Sequence, residues 1–240
     1  MRMSLDVVSD HTVHPRFISE RSVVVDLGAN RGDFSAAMVE RFGCRCIAVE
    51  PSPIMFRKIE ARERVEKHHL AIAPSTGPVA FHLSELAVAS SMMREPSGTF
   101  ATVTVAGKTL EQFCRDARVP SIDVLKMDIE GAEIGVIDAC SDELLRRIGQ
   151  ITVEFHDHAG LVSKAEVRRV IRRLHGLGFR HFSRYLHSYY DTLFLNRRLC
   201  PISPAEDAWN RHVLRNWHGL VRRMRRQASA IGSTRPGSAR

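Results

Sequence analysis

The residues of this chain best suited to chemistry are acidic, and each stands where an apolar run gives way to a turn. Asp26 follows Val23, Val24 and Val25 and precedes Leu27-Gly28-Ala29-Asn30-Arg31-Gly32. Glu50 closes the run Cys44 to Val49 and precedes Pro51-Ser52-Pro53. Asp128 closes Ile122 to Met127 and opens Asp128-Ile129-Glu130-Gly131-Ala132-Glu133, while Glu154 precedes Phe155-His156-Asp157-His158. Carboxylates at the ends of adjoining strands can accept ribose hydroxyls, balance a cationic ligand or take a proton from a hydroxyl.

The spacing between the glycines narrows the ligand. A dinucleotide turn reads Gly-x-Gly-x-x-Gly and seats a pyrophosphate on the following helix. Here Asn30 takes the second glycine position, and the turn is Asp26-x-Gly28-x-x-x-Gly32. A carboxylate at the strand tip repels a pyrophosphate and suits a ligand carrying an amino group and a sulfonium. S-adenosylmethionine therefore fits better than NAD, with Asp26, Gly28, Ala29, Asn30 and Gly32 around its methionine part. Glu50 lies about 20 positions beyond the glycine turn, the place from which doubly wound sheets hold a ribose. Capping of the next helix is its competing use. Pro51, Ser52 and Ala71 are expected to border the same ligand.

These positions need strands and helices to hold them. Three β-branched residues at Val23 to Val25 read as a buried central strand, and Asp33 to Phe42 as the helix after it. Cys44 to Val49, Val65 to Ala71, Ile122 to Met127 and Ile151 to Phe155 read as further strands. Helices are expected over Ile54 to Arg62, Leu110 to Ala117 with Thr109 as N-cap, and Lys164 to His175. Val79 to Leu83 and Ala101 to Val105 read as extended pieces flanking a loop with Ser90, Ser91 and Gly98. Phe179 to Arg184 and Asp191 to Leu195 read as a hairpin-like pair.

Composition bounds the rest. With 240 residues, 44% of them hydrophobic, the chain supports one large core. The expected division is a domain over 1–196 and a tail over 197–240. The tail carries 10 basic and 2 acidic residues, which accounts for the whole formal charge of +8. A neutral body makes nucleic acid an unfavoured partner. Trp209, Val213, Trp217, Leu220, Val221 and Met224 recur at helical spacing among arginines. Such a helix in 205–226 suits packing on the body, an anionic membrane surface or a protein partner, and a disordered end follows from Gln227. No stretch reads as a signal or a membrane span, so a cytoplasmic location is expected, with peripheral membrane contact open. Five cysteines without Cys-x-x-Cys spacing read as reduced thiols; oligomeric state is not legible.

Val25 to Asp33, Val49-Glu50-Pro51-Ser52-Pro53, Ala71-Ile72-Ala73, Ser90-Ser91, Thr109-Leu110-Glu111 and above all Lys126-Met127-Asp128-Ile129-Glu130-Gly131-Ala132-Glu133 resemble the FkbM family of S-adenosylmethionine-dependent methyltransferases. The resemblance spans about residues 21 to 156. It implies an α/β, Rossmann-like class I methyltransferase fold with a seven-stranded, mostly parallel sheet covered by helices. It also implies methyl transfer to oxygen, often a hydroxyl on a sugar or secondary metabolite. The charged stretch Glu60 to Lys67 departs from the Asn-rich turn usual there.

Transfer to a hydroxyl needs alignment and a proton acceptor. His156 is the first choice for that base, since an imidazole titrates near neutrality, with Asp128, Glu154 and Asp157 as rivals. Asp128 is also placed beside the transferred methyl group. No metal is expected, because two histidines do not complete a site and the chain has no Asp-Asp pair. A catalytically inactive adaptor binding through its tail is the alternative from another class.

Overall fold

The computed structural model describes residues 5–84, 99–157 and 159–211. Ser90, Ser91, Gly98, His158 and most of the expected tail helix lie outside them. The chain divides into two units, Met1–Pro201 and Ile202–Arg240, and in the second residues 204–211 are helical. Among the described residues no helix is long and apolar enough to cross a membrane.

A seven-stranded sheet forms the body. Its strands are β3 (Val23–Leu27), β4 (Arg45–Val49), β5 (Val65–His68), β9 (Ile122–Met127), β10 (Ile148–Val153), β11 (Phe179–Ser183) and β12 (Thr192–Asn196). They lie in the order β11-β12-β10-β9-β3-β4-β5, and β12 alone runs against the rest. The chain leaves β3 towards β4 on one side and comes back to β9 on the other. The carboxyl end of β3 is thus the switch point at which open α/β sheets leave a crevice.

Alternation along the strands sorts the two faces. Val25, Ile47, Leu125 and Ile151 pack with α3 (Leu110–Asp116), α4 (Glu133–Ala139), α5 (Asp142–Arg146) and α6 (Lys164–Gly176). Val24, Cys46 and Val124 pack with Phe34 and Met38 of α1 (Asp33–Phe42) and with Val8 and Val13. The last two belong to an N-terminal hairpin, β1 (Asp6–Val8) and β2 (His11–Val13), which the sequence reading lacks. On that second face the same alternation sets Asp26, Lys126, Gln150 and Thr152, each under 4% exposed. Buried polar side chains require partners, and the hairpin supplies several. Asp191 accepts from the backbone N–H and hydroxyl of Thr12 at 3.0 and 2.5 Å. Gln150 exchanges hydrogen bonds with the backbone of His14 at 2.7 and 3.1 Å.

Two expected elements are shorter than their sequence suggests. The segment Val65 to Ala71 breaks after His68, and β6 (Ala71–Ile72) joins a second sheet with β7 (Gly77–Ser84) and β8 (Thr99–Lys108). In that sheet β7 and β8, longer than the two extended pieces expected there, pair as an antiparallel hairpin, and β6 runs parallel to β8. The helix expected over Ile54 to Arg62 is one turn, α2 (Pro53–Phe56), capped by Ser52 Oγ accepting from Met55 N. All five cysteines are free and buried.

Candidate active site

The glycine turn is built around contact with the neighbouring strand. Gly28 has φ +73°, and a Cβ on it would come within 1.8 Å of the Asp128 carbonyl oxygen. Only glycine permits both the left-handed backbone and this approach. Gly28 and Ala29 donate their backbone N–H groups to Val49 O at 3.0 and 3.1 Å, which ties the turn to the end of β4. Asn30 sits at φ +52°, a conformation its short polar side chain tolerates better than most.

That turn aims Asn30 N at Glu50. Glu50 is 5% exposed and accepts from Asn30 N through Oε2 and from Ser52 N through Oε1, each at 2.7 Å. Both oxygens are fixed, and each keeps a second lone pair for a ligand hydroxyl. Burial lifts its pKa to about 7 against the opposing pull of the two N–H donors and Lys126. The helix-capping use falls instead to Ser52. A cavity open to solvent lies at this edge, and Gly28, Asn30, Glu50, Pro51, Ser52, Ala71 and Asp128 all line it. Leu70, Ile72, Met55 and Phe81 provide apolar wall.

Three expected ligand residues do not line the cavity. Ala29 packs with Ala48 and Ile59, and Gly32 supplies the left-handed entry to α1. Asp26 is fully buried, accepts from Ser35 Oγ at 2.7 Å and faces Lys126 Nζ at 3.1 Å. Its expected place beside the methionine part is therefore corrected: its charge is already matched inside the protein. Lys126 Nζ also donates to Gly28 O at 2.6 Å and Leu27 O at 3.3 Å, and lies 3.7 Å from Asp128 Oδ2. Burial opposes its charge, but Asp26 and Asp128 outweigh this and hold its pKa above the ordinary value. Lys126 thus pins the glycine turn to β9.

A second cluster adjoins the cavity through Asp128 and Glu130. His156, 4% exposed, turns Nδ1 to Glu133 Oε1 at 3.2 Å. Its Nε2 faces Glu130 Oε2 at 3.1 Å, Glu154 Oε1 at 3.6 Å and Asp128 Oδ1 at 3.7 Å. Glu133 is held in turn by the backbone N–H groups of Ile129 and Gly131 at 3.1 and 3.2 Å. Burial disfavours the imidazolium, yet the hydrogen bonds and charges of Glu130 and Glu133 prevail and raise His156 to about 11. Burial and the Asp128 charge raise Glu154 to about 8, and Tyr190 hydrogen-bonds to it. Both ring nitrogens of His156 face carboxylates, so Glu154 and Asp128 are the better placed of the expected bases. Asp157 is directed elsewhere, accepting from Ser188 Oγ and Tyr189 N at 2.8 and 3.0 Å.

The sequence reading missed His11, whose Nε2 lies 4.0 Å from Asp128 Oδ2. Its place depends on docking of the hairpin through partners 179 positions away, which no local pattern announces. The role of Lys126 had a signal: a lysine inside an apolar strand calls for a buried partner.

Comparison with known proteins identifies the family. The model of the methyltransferase FkbM domain matches residues 26–181. The hexuronic acid methyltransferase AglP of Haloferax volcanii is 24% identical over 166 residues, covering 65% of this chain and 67% of that protein. Among solved structures, the precorrin-6y C5,15-methyltransferase of Geobacter metallireducens aligns with TM-score 0.43 at 14% identity, over 74% of this chain and 82% of that one. Aeropyrum pernix fibrillarin, solved with S-adenosyl-L-methionine, aligns with TM-score 0.42 at 12% identity, over 74% and 66%. With a Rossmann-like sheet, a glycine turn and an oriented strand-tip glutamate inside the matched region, the chain belongs to the FkbM family of methyltransferases, which take their methyl group from S-adenosylmethionine.

Proposed function

We propose that this chain methylates an oxygen of a sugar or similar polyhydroxylated acceptor, most directly a hydroxyl. One observation carries the reading: Asp128 and Glu130 line the donor cavity and also belong to the carboxylate and histidine cluster beside it. That adjacency supports a role for these groups as proton acceptors and hydrogen-bonding partners of the methyl acceptor. The Haloferax relative is named a hexuronic acid methyltransferase, which supports a sugar.

The cavity suits S-adenosylmethionine. Glu50 would accept its ribose hydroxyls, with Pro51, Ser52 and Ala71 beside the nucleoside and Gly28, Asn30 and Asp128 towards the methionine part. When bound, the donor supplies an electrophilic methyl group on a sulfur that leaves without protonation. The protein's task is then to align the hydroxyl and receive its proton. Glu154, lifted to about 8, has a proton affinity matched to that task near neutral pH, and Asp128 is its neighbour on the cavity side. His156 counterbalances the carboxylates and fixes their positions.

The test is transfer of isotopically labelled methyl from S-adenosylmethionine to an oligosaccharide carrying hexuronic acid. Alkali-stable label, reduced at least a hundredfold by Asp128→Asn, is expected for an ether product. Label that alkali releases as an ester, or label on nitrogen, would replace the hydroxyl reading.

A further inference from the structure

We infer that the cluster beside the donor cavity is a binding site for one divalent transition-metal cation, with His156 Nε2, Asp128 and Glu130 as its ligands and Glu154 and His11 completing the set. One oxygen from each of Asp128 and Glu130 and one nitrogen of His156 lie within 4.8 Å of one another, as do ligand atoms of His11, Asp128 and Glu154. Asp128 is common to both groups.

The arrangement around His156 is close to what a cation imposes. Ligand atoms held at about 2.1 Å from a first-row divalent ion stand roughly 3.0–3.4 Å apart; Nε2 has one carboxylate oxygen inside that range, at 3.1 Å, and two at 3.6 and 3.7 Å that need close in by only a few tenths of an ångström. Its other nitrogen faces Glu133 Oε1 at 3.2 Å, and Glu133 is itself fixed by two backbone N–H groups. A carboxylate that orients a histidine from behind is the usual support of a metal ligand.

His11 is an independent observation from a different part of the chain. It is 4% exposed, its Nδ1 has no hydrogen-bond partner, and its Nε2 points at Asp128 from 4.0 Å. Phe34 packs edge-on against the ring, so packing accounts for the ring but not for its nitrogens. Burial lowers the pKa of His11 to about 3, so the ring is neutral and Nε2, which faces Asp128 beyond hydrogen-bond distance, keeps a lone pair that a cation shared with Asp128 would take up. Two imidazoles among carboxylates favour Mn²⁺, Fe²⁺, Co²⁺ or Zn²⁺ over the all-oxygen preference of Mg²⁺ and Ca²⁺.

Asp128 and Glu130 face the donor cavity, so an oxygen-rich acceptor could reach such a cation there. That use rests on the proposed methyl transfer; the binding itself does not. The probe is Mn²⁺ added to chelator-treated full-length protein, with free ion followed by electron paramagnetic resonance and no donor or acceptor present. One Mn²⁺ per chain is expected, bound at least tenfold more weakly by His11→Gln and by Glu154→Gln. Because loss of His156 can unfold the chain, these two milder variants carry the test, with thermal melting confirming their fold. Absence of Mn²⁺, Co²⁺ and Zn²⁺ binding by the wild type, or affinity unchanged in both folded variants, overturns the site. Calorimetry with S-adenosylmethionine on the same metal-free protein reads the donor site separately, so failure of one reading is distinguishable from failure of the other.

Discussion

Lys126 carries a charge that is 3% exposed, and the residues it touches explain why it is tolerated. It neutralises Asp26 while its ammonium holds the carbonyls of Leu27 and Gly28. Removing one partner of a buried ion pair costs about 3–5 kcal/mol, because the other charge is left stranded. Lys126→Met should therefore lower unfolding free energy by about that amount in urea titration. Asp26→Asn with Lys126→Met should recover part of it, since both charges are then gone. Gly28 is constrained more sharply, with an added Cβ meeting the Asp128 carbonyl at 1.8 Å. Gly28→Ala should weaken S-adenosylmethionine binding at least tenfold by calorimetry and also lower the melting temperature, as the turn moves away from β9.

Among the elements, the N-terminal hairpin has a use beyond covering the sheet. It lies against the polar face of β9 and β10 and carries His11 to the edge where Asp128 stands. Thr12 fixes it by two hydrogen bonds to Asp191, a carboxylate 1% exposed. Thr12→Val deletes the hydroxyl donor and leaves Asp191 Oδ2 with Arg184 Nη1 at 3.5 Å, a loss of about 1 kcal/mol. Hydrogen exchange should show the amides of β1 and β2 opening sooner in that variant while those of β3 and β9 stay protected. Retention of wild-type protection in the hairpin would mean that it is held by other contacts.

At the scale of the whole molecule, the sheet order puts four carboxylate-bearing strand ends along one edge, and acid balance should show in stability. Glu50 titrates near 7 in the folded protein, above the ordinary glutamate value of 4.5. Folding thus favours its protonated form, and this stabilisation is complete below pH 4.5 and is lost as pH rises through 7. Relative to Glu50→Gln, the wild type should lose about 3 kcal/mol of stability over that window. Equal pH profiles for the two proteins would show that Glu50 is not held as described.

The central strands, the switch point and Glu50 were legible because buried β-branched runs ending in acid and glycine have few structural solutions. The fate of Asp26 was not, since charge and spacing do not reveal a lysine 100 positions away on the next strand. The surroundings of His156 were hidden for a related reason: the carboxylates that meet it come from two strand ends and a turn. The break after His68 escaped because period-two patterning does not say which sheet a strand joins.

The central claim is that Glu50, held by Asn30 and Ser52, grips the ribose of S-adenosylmethionine. Calorimetric titration of wild type and Glu50→Gln with that donor at pH 8, where the carboxylate is ionised, tests it most directly. A loss of affinity of about tenfold or more in a variant that melts normally is the predicted result; equal affinities would contradict the account.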